Sequence, residues 1–147
     1  MTWNTLRTVL LAAALLGSAP ALAEDATPPA YQNLLTKLLQ SGTDVLGAPL
    51  AYPAGTPSIT SATVTIPPGG ETGWHQHEVP LFAYVLEGEL TVDYGDKGTR
   101  TYRAGDAVLE AMNWPHNGTN TGTIPMTLLA VYMGSDSAAN TVAVDHP

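Results

Sequence analysis

His75 and His77 flank a single Gln, and His116 lies further along the chain. In an extended strand alternate side chains share a face, so His75 and His77 project together while Gln76 points away. Two imidazoles on one strand face, joined by a third from a neighbouring strand, supply half or more of a transition-metal site. The chain has four histidines, and three of them fall in this set. The alternative is a pair of polar core histidines without a metal. Each neutral imidazole would then need its own hydrogen-bond partner, which one metal ion supplies to both. The fourth, His146, stands near the end of the sequence and is expected to be loose.

The elements that must position these residues are short strands. Ser58 to Ile66 alternates and is stopped by Pro67-Pro68-Gly69-Gly70. Gly73 to His77 and Leu81 to Leu86 follow, and Glu87-Gly88 bends the chain into Glu89 to Tyr94. Gly95-Asp96-Lys97-Gly98 is a hairpin turn with Thr99 to Arg103 as the return strand. Ala107 to Ala111, Trp114 to Thr119, the apolar Met126 to Met133 and a last edge strand at Val142 to Val144 complete the set. Regular short strands separated by turns predict an all-β sandwich or barrel. Leu81, Ala83 and Val85 share a face and would line its interior, with Phe82 and Tyr84 on the other side. Before the strands, Tyr31 to Gln40 carries apolar residues at 31, 34, 35, 38 and 39. That spacing predicts one amphipathic helix ending near Gly42. Trp114 lies two residues before His116, so its indole is either a wall of the pocket beside a metal or a simple core ring; both bury it.

The first residues read as a leader. A short head with Arg7, an apolar run over Val9 to Leu16 and small residues at Ala21-Leu22-Ala23 match a cleavable signal peptide, with cleavage expected after Ala23. The run falls short of a bilayer span and is interrupted by Gly17, Ser18 and Pro20. The expected organisation is 1–23 signal peptide, 24–57 spacer, short helix and extended arm, and 58–147 barrel domain, with the mature protein in the periplasm or secreted and no membrane contact after cleavage. There is no cysteine, so no disulfide staples the fold. Without Arg7 the chain keeps four Lys/Arg against thirteen Asp/Glu. Such a charge balance repels phosphate backbones and argues against nucleic acid as a partner.

Two stretches then carry a resemblance. Gly69-Gly70-Glu71-Thr72-Gly73-Trp74-His75-Gln76-His77, running on to Gly88, resembles the first motif of the cupins. Gly105 to Asn120 resembles the second, with His116 and Asn120 in the places of its His and Asn. The run Tyr84-Val85-Leu86-Glu87-Gly88-Glu89-Leu90 is similar to the family as well. The resemblance spans about Ile59 to Met133. It implies a double-stranded β-helix, the jelly-roll barrel, of the small single-domain cupin type-2 kind, preceded here by the short N-terminal helix. It also implies a structural role for Asn120 and a homodimer. Two positions depart from the family. The first-motif Glu is Leu81 here, and the Pro-x-Gly turn is Ala111-Met112-Asn113. Some cupins that lack the first-motif Glu carry one where Glu110 stands. If the strands around 110 and 116 pair as a hairpin, Glu110 and His116 become neighbours on one face. The ligand set implied is His75, His77, His116 and Glu110, with Glu110 as fourth ligand or general base and Leu81, Ala83 and Trp114 around the substrate.

A site of this kind suits a divalent transition metal, Fe, Mn, Ni or Zn, with an open position. The functional expectation is an exported metalloenzyme of dioxygenase or isomerase/lyase type acting on a small molecule. The competing expectation is a non-catalytic periplasmic protein that holds a metal or a small ligand, since fold alone does not select a reaction.

Overall fold

Met126–Ser135 (β8) is apolar on both faces, which suits a strand in the middle of a sheet and poorly suits an edge. A computed structural model describes residues 29–146 and places it so. β8 pairs antiparallel with Pro57–Ile66 (β1) on one side and with Leu81–Glu87 (β3) on the other. Ala107–Leu109 (β6) adds to the far edge of β3, giving the order β1-β8-β3-β6. A second sheet has the order β5-β4-β7, built from Glu89–Asp93 (β4), Thr99–Arg103 (β5) and Asn117–Thr119 (β7). His75–Gln76 (β2) and Val142–Ala143 (β9) form a separate two-stranded ladder.

Alternation decides the core. Leu81, Ala83 and Val85 of β3, Leu90 and Val92 of β4, and Met126, Leu128 and Ala130 of β8 are buried, while their strand neighbours stand half out. The two sheets thus share one apolar interior, to which β1 contributes only Val64 and Ile66. Gly88 makes the corner between β3 and β4 possible. It has φ +79°, and a Cβ there would lie 2.7 Å from the Met126 Cα. Asn120 is almost fully buried. Its amide donates to the carbonyls of Ile66 and Ile124 and accepts from the Gly122 N–H, the structural role implied by the resemblance.

The compact unit runs from Lys37 onward and takes in the extended arm before β1. Asp44 is the reason the arm belongs to it. Its carboxylate is buried, accepts the N–H groups of Leu46 and Ala48, and accepts the Met112 N–H at 3.1 Å. Val45 donates to the Leu109 carbonyl beside it. Before Lys37, the described residues hold a helix of only four residues, Pro29–Gln32 (α1). The longer helix read over Tyr31 to Gln40 is not formed. Leu34 is 83% exposed and Leu35 and Leu38 are also open, so no burial offsets the cost of nucleating a helix there. The leader, its cleavage site and the start of the spacer lie outside the described residues. Among the described residues no helix is long and apolar enough to cross a membrane.

Candidate metal centre

β2 presents His75 to the interior, and His77 follows just past its end. His116 comes in from the opposite sheet, immediately before β7. His75 and His116 are locked together by a reciprocal backbone pair, N–H to O at 3.0 and 2.9 Å. His77 is held from behind, where Asn113 donates to its carbonyl at 2.8 Å. Asn113 has φ +51°, a left-handed turn conformation that Asn tolerates well. This is how Ala111-Met112-Asn113 makes its turn without the family's Pro-x-Gly. The three ring centroids lie 4.4 to 5.0 Å apart, and one ligand atom from each ring falls within 4.8 Å of the other two.

Each ring is oriented by a backbone carbonyl. Nδ1 of His75 meets Gly73 O, Nδ1 of His77 meets Asn140 O, and Nδ1 of His116 meets Trp114 O, all at 2.8 Å. A carbonyl only accepts, so each Nδ1 must carry the proton and each Nε2 is left with a lone pair. Nε2 of His116 is buried and has no hydrogen-bond partner. Such an orphan is costly in a folded interior unless something binds it, and a metal ion does. The protonation chemistry agrees. Burial pushes His77 down to about 3 and lowers His75 and His116 too, despite the carbonyls that pull the other way. Three neutral imidazoles with lone pairs converging are the donor set a divalent ion needs.

Glu110 lines the same cavity but lies outside the three-histidine cluster. The hairpin expected between it and His116 is not formed. Glu110 follows directly on β6 of the four-stranded sheet, whereas His116 leads into β7 in the other. Its cross-strand neighbour is instead Leu81, to whose carbonyl it donates at 2.9 Å. Leu81 is the position where the family carries its Glu, so the carboxylate stands one strand over on the same face. Burial raises the Glu110 pKa, against the Ala111 N–H and the Tyr94 hydroxyl, which both donate to Oε1 at 2.8 and 2.7 Å. Tyr94 is fully buried and lies 3.2 Å from the Tyr102 hydroxyl, whose pKa burial pushes up to about 12. Sequence reasoning missed this Tyr94–Tyr102 pair and Asp44. Tyr94 was legible only as the last residue of a strand, with nothing to show that its hydroxyl reaches back to residue 110.

Leu81 and Ala83 do line the cavity. Trp114 does not. Its indole N–H donates to Tyr94 O at 2.9 Å, Lys97 sits over its ring, and its side chain borders an outer groove with Trp74. Its backbone carbonyl, which orients His116, is its link to the site. His146, expected to be loose, packs edge-on against Trp74 with ring centroids 4.5 Å apart. Glu78 faces outward and accepts the Ala139 N–H, and Glu71 is exposed and bonded by Asn117.

Comparison with known proteins agrees with this picture. The cupin domain family, by its Cupin_2 description, matches residues 62–132. No curated protein sequence matches the chain. Among solved structures, an uncharacterised conserved protein with a double-stranded β-helix domain from Klebsiella pneumoniae is 18% identical, with a TM-score of 0.53 over 74% of this chain and 90% of its own. The formate complex of Lactobacillus farciminis oxalate decarboxylase is 25% identical, with a TM-score of 0.51 over 62% of this chain. The match covers only 27% of that enzyme's length. A structure from a study of DMSP lyases is 20% identical, with a TM-score of 0.52 over 60% of this chain and 45% of its own. The matched sequence motifs, the two facing sheets and the shared fold agree that residues 62–132 form a cupin domain.

Proposed function

We propose that the protein is an exported cupin that holds a divalent transition metal on His75, His77 and His116 and works on a small molecule as a metalloenzyme of dioxygenase or isomerase/lyase type. The observation that carries the reading is the convergence of three Nε2 lone pairs, one of them buried and orphaned. A metal bound there would act as a Lewis acid toward a substrate oxygen. The chain's own residues set the rest. The carbonyls of Gly73, Trp114 and Asn140 hold the rings in register, and the aliphatic walls keep water sparse. Glu110, next to Leu81, serves as fourth ligand or as the base that holds a proton at its carboxylate. The leader motif over residues 1–23 supports export.

The test is elemental analysis of protein purified from the periplasmic fraction with its N-terminus determined. Stoichiometric metal in a chain starting at Glu24, and none in His77→Ala, is the expected result. Full occupancy in His77→Ala would sink the ligand assignment. The same reading includes a homodimer, supported by exposed Ile59 and Leu86 and by the half-buried Phe82 and Tyr84 on the outward side of the four-stranded sheet. Light scattering should give twice the monomer mass; a monomer at working concentration removes that part.

A further inference from the structure

The cavity beneath the histidines has a volume of about 80 Å³, well below the ~150 Å³ that takes a benzene ring. Its walls come from both sheets and are aliphatic, with Val64, Ala83, Val85, Leu90, Val92 and Leu128 among them. Polar atoms are few and mostly committed. Thr72 Oγ1 accepts the Gly118 N–H, and the Tyr102 hydroxyl is bonded to Tyr94. Tyr132 lines the cavity with its ring 5.6 Å from that of His77, and its hydroxyl bonds to no described residue.

The charges are equally one-sided. Lys37, Lys97, Arg100 and Arg103, the basic residues among those described, are all exposed, and none lines the cavity. Arg103 is paired with Glu89 at 2.8 Å and Lys97 lies by Asp96. Glu110 is the only acidic residue in the lining. A charged group pushed past the histidines would therefore leave water for an aliphatic wall with no counter-charge, which is costly.

We infer that the cavity takes a small molecule with one polar head for the metal and an uncharged aliphatic remainder of a few atoms, and that it rejects molecules carrying a second charged group. This rests on the reading of the histidines as a metal site and narrows its substrate class. It sets the chain apart from a protein built for oxalate, which carries a carboxylate at each end. The head lies beside His77 and the ring of Tyr132, while the walls from Val85 to Leu128 hold the remainder.

The test compares propionate with malonate, two acids of similar size that differ in a methyl against a second carboxylate. The full-length mature protein is loaded with Co²⁺, uptake is measured, and each acid is titrated by calorimetry and by the cobalt visible spectrum. Free metal favours malonate, which can chelate it. The inference expects the order reversed, with propionate binding at least about tenfold more tightly. Malonate or oxalate binding as tightly as propionate overturns it while leaving the metal reading intact, and so does failure of both acids to bind the loaded protein. If no cobalt enters, the metal reading falls. The substrate class is then decided on metal-free protein by NMR of the Ala83 and Val85 methyls, with propionamide in place of propionate. Shifts with propionamide and none with malonate support the inference; the opposite pattern, or no shifts with either, overturns it.

Discussion

Three backbone carbonyls decide what the histidines can do. Because Gly73 O, Asn140 O and Trp114 O all face Nδ1, the proton is fixed on the far side of each ring and Nε2 is free toward the centre. The same burial that keeps the rings neutral makes the empty site sensitive to acid. His77 titrates near 6.5 when unfolded and at about 3 when folded. Above that window both states are neutral. Within it the unfolded chain takes a proton the folded one refuses, so stability falls as pH drops, and His75 and His116 act in the same direction. Glu110 opposes them. Its folded pKa is raised, so the stability it contributes is full below its unfolded value and is lost as pH climbs through the folded one. Metal-free protein is therefore expected to melt lower at about pH 5 than at about pH 7 by calorimetry, and His77→Gln should flatten the slope. An unchanged slope in that variant would mean His77 is already charged in the fold. The histidines were legible in the sequence because spacing alone puts two of them on one face. Trp114 was not, because its direction depends on Tyr94 O and Lys97, partners that spacing does not reveal.

The register between β3 and β6 explains why a missing ligand does not mean a missing carboxylate. Phe82 pairs with Leu109, and continuing that ladder by one step sets Leu81 against Glu110. Cross-strand partners share a face, so a carboxylate lost from one strand can be supplied by the next without moving the histidines. Glu110→Gln keeps the shape and the acceptor oxygen but removes the charge. Metal affinity is expected to drop roughly tenfold, read by competition with a chromophoric chelator. Equal affinity would leave Glu110 as a hydrogen-bond partner of Tyr94 and nothing more. Most strands were legible from alternation, Thr99–Arg103 to the residue. The helix over 31–40 was misread because periodicity reports only that an apolar face exists. It cannot report whether a surface is there to bury it, and Leu34, Leu35 and Leu38 stay in solvent.

Across the described molecule, the segment from 139 to 146 works as a strap on the strand that carries His75 and His77. Ala139 is tied to Glu78, the Asn140 carbonyl accepts a hydrogen bond from His77 Nδ1, Val142 and Ala143 pair with Gln76 and His75, and Val144 donates to Trp74 O at 3.1 Å. Val144→Pro removes that last donor without touching a ligand. Metal affinity should fall about tenfold or more while the far-ultraviolet spectrum keeps its β signature; undiminished affinity would make the strap mere packing. The edge strand near Val142 was legible in the sequence, but its pairing with His75 and Gln76 and the tie from Asn140 to His77 were not, since a two-residue strand announces only that an edge exists. Asn140 and His77 are 63 positions apart in the chain. A ribosome delivers His75, His77 and His116 well before residue 140 has emerged. The second half of the His77 support is thus the last part of the site to arrive, and the three-ring geometry is complete only once residue 140 has joined the fold. An ion held by these three histidines would therefore be drawn from wherever the chain stands when that short ladder closes.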